Sequence, residues 1–236
     1  MAASGWQSCA IQHRLFGAAL RESGLFGRLE RCDEVRWLKP LRPNVDLHLK
    51  IDDIALSTLG ETHKFSARFA LVGDDKALMQ TTAHWTLSDA PLPLGAPSVE
   101  LTAPDTARAI GTFTFALPDV AAFNAAYDPL SLYNQVSPWH ICGGWMRRML
   151  AHRQAEQAAA LARGETPPEL GPSPGLENLC WFGEVRAGET LSYFETVKSV
   201  RQTSKPGWSL ITTHNQVFDA QRTCVLDFNA KVFARF

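Results

Sequence analysis

Several stretches of the chain alternate apolar and polar residues with a period of two. Leu47, Leu49 and Ile51 alternate with His48, Lys50 and Asp52. Phe65, Ala67, Phe69 and Leu71 follow the same rule, as do Ala83, Trp85 and Leu87. Near the C-terminus Leu226, Phe228, Ala230, Val232 and Ala234 share one face. This period predicts half-buried strands. Gly73-Asp74-Asp75 and Lys205-Pro206-Gly207 are turn signals between them. Two other stretches follow a helical period. After Cys9, Ile11, Leu15, Ala18 and Ala19 fall on one face; after Gly143, Met146, Met149 and Leu150 do. Gly111–Ala116 reads as a strand and Pro118–Asn124 as a short helix, with Pro118 suited to its start and Asp128-Pro129 ending it.

These elements occur twice. Ser4-Gly5-Trp6-Gln7-Ser8-Cys9 aligns with Ser137-Pro138-Trp139-His140-Ile141-Cys142, and in that register Arg14 meets Arg147. Further on, Trp37-Leu38-Lys39-Pro40-Leu41-Arg42 aligns with Trp181-Phe182-Gly183-Glu184-Val185-Arg186. The second copy is longer between these matches, and the Pro/Gly-rich stretch from Gly164 to Gly175 absorbs the insertion. Several matches in order imply a duplication. Residues 1–88 are expected to form a first half and 106–236 a second, joined by a linker at 89–105 rich in proline. Each half is expected to bury its helix against an antiparallel sheet, an α+β arrangement. The first half lacks the initial strand and short helix that the second carries.

Composition narrows the function classes. Across 236 residues, 23 Lys+Arg against 24 Asp+Glu give a net charge of −1, with no basic footprint for nucleic acid or an acidic membrane. No run of about 18 apolar residues is present to span a membrane. Polar Ser8, Gln12, His13 and Arg14 interrupt any signal-peptide core. Five cysteines without Cys-x-x-Cys spacing point to reduced thiols in a cytoplasm rather than a disulfide framework or a zinc site. His13, His48, His63, His84, His152 and His214 show no ligand spacing, so no metal is expected.

The motifs carry a resemblance. Ala3-Ser4-Gly5-Trp6 opening a helix, Val35-Arg36-Trp37-Leu38-Lys39-Pro40-Leu41-Arg42-Pro43, its counterpart Val185–Leu191, and Ser199–Gly207 resemble, in order, segments of the MaoC-like acyl dehydratases, the family of (R)-specific enoyl-CoA hydratases. Phe123–Pro129 resembles that family's approach to its active site. The resemblance implies a tandem (double) hotdog that hydrates or dehydrates acyl thioesters. It implies no separate cofactor, because CoA or the phosphopantetheine of an acyl carrier protein is part of the substrate. A homodimer would cover exposed sheet edges.

The same resemblance implies an Asp and a His five residues apart, with a backbone N–H at a helix start to steady the thioester carbonyl. Asp128 fits the Asp position, but five residues on stands Tyr133, and Pro138 at the helix start has no N–H. Tyr133 is either a proton or hydrogen-bond donor or a packing aromatic. His140, where the second helix begins, either replaces the missing base or makes a local bond. Asn134 is a candidate to orient water. Cys142, Gly143 and Gly144 either present amides to a thioester or permit close helix–sheet packing. His140 followed by Gly143-Gly144 also echoes hotdog thioesterases. The departures at Tyr133 and Pro138 leave a third function open, acyl-thioester binding without catalysis.

Overall fold

A computed structural model describes residues 4–92 and 101–236. The expected linker therefore lies in part outside the described residues, at 93–100. The first half runs α1 (Gly5–Glu22), β1 (Phe26–Trp37), β2 (Leu47–Leu59), β3 (Thr62–Gly73) and β4 (Lys76–Ser88). The second runs β5 (Arg108–Thr114), α2 (Leu117–Tyr127), α3 (Pro138–Ala162), β6 (Glu169–Leu170), β7 (Gly175–Trp181), β8 (Thr190–Gln202), β9 (Trp208–Phe218) and β10 (Cys224–Arg235).

Among the described residues all strands belong to one ten-stranded sheet ordered β2-β3-β4-β1-β7-β10-β9-β8-β5, with β6 beside β10. The order is a palindrome about β1 and β7, which pair antiparallel from Arg31↔Cys180 to Arg36↔Gly175. At that seam Gly175 adopts φ +151°, and a Cβ there would lie 2.0 Å from Val35 O, so only glycine fits the close crossing. The helices repeat the relation in detail. Trp37 Nε1 donates to Gly5 O, and Trp181 Nε1 donates to Pro138 O, both at 3.0 Å. The aligned tryptophans thus tie the starts of α1 and α3 to equivalent strand ends.

Helix α1 begins at Ser4, whose Oγ accepts the Gln7 N–H at 3.1 Å. Its buried face corrects the expected one. Cys9, Gln12, His13, Phe16 and Leu20 are buried, whereas Ile11 and Leu15 are only half-buried and Ala19 is exposed. In α3 the buried contacts concentrate in the first two turns, Trp139–Cys142 with Gly144 and Trp145, and Leu150 is exposed. The two helices meet through Trp6, whose ring lies 6.2 Å from Trp139 and 5.7 Å from Trp145. Trp139 contacts Trp181 at 5.0 Å, so these tryptophans are core.

The stretch from Val35 is strand only as far as Trp37; Pro40 and Pro43 lie in the following loop, where no ladder donor is needed. The rest of β1 carries no period of two. Register shifts between Leu29 and Arg31 and between Cys32 and Glu34 each insert a residue. Leu29, Cys32 and Val35 consequently point inward at intervals of three.

Candidate active site

Asp128 caps α2 and is 3% exposed. Its Oδ1 accepts the N–H groups of Leu130 and Ser131 at 3.2 Å each, and its Oδ2 accepts the Ser131 hydroxyl at 2.8 Å. Pro129 restricts the chain just after it, so the carboxylate is held by its own turn. The fourth partner comes from the other half. His13 Nε2, on the buried face of α1, lies 3.1 Å from Asp128 Oδ1. The nitrogen is at ion-pair distance but not aligned as a hydrogen bond, and among the described residues His13 Nδ1 has no partner either. The ring is stacked on Trp85 at 5.1 Å and 22°, which fixes its plane.

Burial alone would raise the Asp128 carboxyl. The His13 charge and the polar hydrogens that His13, Ser137 and Ser131 set beside the carboxylate outweigh it and hold the carboxyl at about 2. Ser137 acts here through the dipole of a buried hydroxyl near the carboxylate, because among the described residues its Oγ makes no aligned hydrogen bond. Asp128 is therefore ionised at neutral pH.

His13 and Asp128 line a cavity of about 150 Å³. Gly27, Arg28 and Leu29 of β1 form one wall; Leu130, Ser131, Leu132, Gln135 and Pro138 form another. Phe26 and Leu132 are exposed lining residues, so the mouth reaches the surface. The loop wall is braced from behind. Asn124 Nδ2 donates to Gln135 O at 2.7 Å, and Val136 N–H donates to Val185 O at 2.8 Å. The arrangement combines an ionised carboxylate, an imidazole and apolar walls, which suits proton transfer on a small, largely apolar substrate.

The other residues singled out from the sequence lie elsewhere. Tyr133 is 73% exposed, and Asn134 is exposed beside it. His140 is buried in a separate aromatic nest, stacked on Phe123 at 4.5 Å and edge-on to Phe115 at 5.1 Å. Burial and the nearby Arg147 push its imidazole down to about 4, against the opposing pull of Asp119. Cys142 is fully buried, and burial together with Cys9 raises its thiol well above the usual range. A Cβ on Gly144 would meet the Tyr193 hydroxyl at 2.4 Å, so this glycine admits close helix–sheet packing; Gly143 has open space around it. The structure thus joins Asp128 to His13, not to Tyr133 or His140. Among the described residues no group of three or more His, Cys, Asp or Glu is placed to hold a metal ion, and no helix is long and apolar enough to cross a membrane.

The sequence signal for His13 lay in its helix face. Cys9, Gln12, His13 and Phe16 follow helical spacing, and two polar residues on a buried stripe require partners. Gln12 finds Thr81 Oγ1 at 2.6 Å, and His13 finds Asp128.

No protein-family model matches the sequence, and no curated protein matches it. Solved structures do share its architecture. A conserved hypothetical protein of Mycobacterium tuberculosis with a double hotdog fold superposes with a TM-score of 0.66 at 10% identity, covering 99% of this chain and 82% of that one. A protein provisionally named a MaoC domain dehydratase, from Chloroflexus aurantiacus J-10-fl, gives 0.63 at 11% identity, covering 97% and 82%. A protein provisionally named an oleoyl thioesterase, from Lactobacillus plantarum, gives 0.55 at 11%, covering 99% and 89%. At these identities the likeness is one of fold, and the fold is the double hotdog.

Proposed function

We propose that the chain is an acyl-thioester hydratase/dehydratase of MaoC-like type whose acid–base pair is assembled from both halves. One observation carries the reading: the His13–Asp128 contact inside a cavity. The substrate is an enoyl or 3-hydroxyacyl group carried on CoA or an acyl carrier protein. A cavity near 150 Å³ is about the room a six-membered apolar ring occupies. That size suits a short acyl group.

In the hydration direction His13 takes a proton from water as the water oxygen bonds to Cβ. The electron pair of the Cα–Cβ double bond moves toward Cα, and negative charge gathers on the thioester oxygen. His13 then returns the proton to Cα, so one water is added and the imidazole is regenerated. Asp128, already ionised, does not carry the proton. It orients the ring and offsets the positive charge that His13 acquires, the role a carboxylate plays beside an imidazole base.

The test is hydration of crotonyl-CoA and of longer enoyl-CoAs by the purified chain, with free thiol followed in parallel. Hydration that Asp128→Asn suppresses supports the reading. Thiol release without hydration replaces it with thioester hydrolysis by the same pair. Saturable binding of the acyl-CoAs without either product replaces it with a binding role.

A further inference from the structure

We propose that the side-chain amide of Gln135 donates the hydrogen bond that stabilises the thioester oxygen in the His13–Asp128 cavity. The inference rests on the hydratase reading and names the group that completes its site. Charge developing on a carbonyl oxygen is best stabilised by a donor already in place. The start of α3 borders the cavity, but its first residue is Pro138, which has no N–H. His140 and Ile141 direct their N–H groups to Ser137 O, at 2.9 and 3.2 Å.

Two other polar side chains on the cavity wall are engaged. The Ser131 hydroxyl donates to Asp128 Oδ2 at 2.8 Å, and Arg28 Nη2 donates to Glu30 Oε1 at 3.1 Å. Gln135 is different. Its Oε1 accepts the Leu132 N–H at 3.3 Å, while its own N–H donates to Leu132 O at 3.1 Å. This reciprocal clamp assigns the amide: the oxygen faces the turn, and Nε2 carries both remaining hydrogens. Among the described residues no hydrogen bond uses Nε2. The backbone behind it is fixed by Asn124 Nδ2 on Gln135 O and by the bridge between Gln135 and Arg186. A neutral, clamped donor therefore stands on the wall shared with His13 and Asp128.

Two variants test this, Gln135→Met and Gln135→Glu. The first keeps the side chain's length; the second keeps an acceptor for Leu132 N–H, so the loop clamp survives. Both lose the donor. On crotonyl-CoA each is expected to lower kcat about a hundredfold or more, with KM near that of the parent. Infrared spectra of bound butyryl-CoA, which has no double bond to hydrate, give a second readout. The carbonyl stretch is expected at lower frequency in the parent than in water, and to return toward the water value in both variants. Unchanged kcat in both variants of an active parent overturns Gln135 as the donor. A carbonyl shift that persists in both variants also overturns it. A parent that turns over no enoyl-CoA overturns the hydratase reading itself, a distinct result.

Discussion

His13 Nε2 on α1 stands 3.1 Å from Asp128 Oδ1 on the loop before α3, so the two halves of the duplicated chain share one buried imidazole–carboxylate pair. Neither half holds both groups. The aligned partner of His13 in α3 is Met146, which cannot carry a proton. The division explains how a chain with Tyr133 in place of the expected histidine still presents an imidazole to its aspartate. Duplication allows this exchange, because the paired halves bring α1 and the loop before α3 to one cavity.

If the pair works as a unit, its members fail together. His13→Gln and Asp128→Asn are each expected to lower kcat/KM for an enoyl-CoA by about 10²- to 10⁴-fold. The double variant should fall little further than the worse single one, because groups acting as one unit are not additive. Steady-state rates of the three variants check this. Independent, multiplying losses would separate the two residues mechanistically.

The same carboxylate makes stability depend on pH. Its folded value near 2 lies below the ordinary 3.8, so its contribution is complete above that ordinary value and is lost as pH falls toward 2. A shift of this size corresponds to about 2 kcal/mol. His140 acts in a higher window. Its imidazole is held down to about 4 from 6.5, so the folded state resists protonation and stability declines from pH 6.5 toward 4. Thermal midpoints measured from pH 7 to 2 should show both slopes. His140→Phe should flatten the upper window, and Asp128→Asn the lower one. A lower slope unchanged in Asp128→Asn would place the acid sensitivity elsewhere.

The sequence was most legible where each half repeats the other. Trp37 and Trp181 align because both donate to a helix-start carbonyl, and a matched function preserves a matched residue. Asp128 was legible from its neighbours Phe123 and Pro129. Strand β1 was not, because its two register shifts move the inward positions from every second residue to every third. His13 was missed for a different reason. Its partner lies in the other half, and the half-buried Ile11 and Leu15 draw the eye to the wrong face of α1. Helical spacing marks His13 as a buried polar residue, but long-range pairing leaves no local spacing that names its partner.

The tryptophan links predict how tightly the helix starts are held. Gly5 packs under the Trp37 ring so closely that an added Cβ would lie 2.4 Å from the indole. Gly5→Ala is expected to destabilise by about 1–3 kcal/mol through overpacking. Trp181→Phe, which keeps the ring packing but removes the donor to Pro138 O, is expected to cost about 1 kcal/mol. Urea unfolding of the two variants measures both. A neutral Gly5→Ala would mean that the Trp37 ring moves freely, against its fixed bond to Gly5 O.

Glu195 predicts a larger effect. It is 3% exposed and meets Arg153 Nη2 through both carboxylate oxygens, at 2.5 and 2.9 Å. Arg108 approaches the same carboxylate only at 3.6 Å. Removing the close partner leaves a buried charge poorly compensated, and Arg153→Met is expected to cost about 3 kcal/mol or more at neutral pH. Most of that loss reflects the stranded carboxylate rather than the net worth of the pair. The double variant Arg153→Met with Glu195→Gln should therefore recover much of the stability, with a coupling of about 1–3 kcal/mol in the cycle. Unfolding free energies of the parent, the two single variants and the double variant decide it. Additive losses would show that the Arg108 contact already compensates Glu195, and that Arg153 contributes by packing alone.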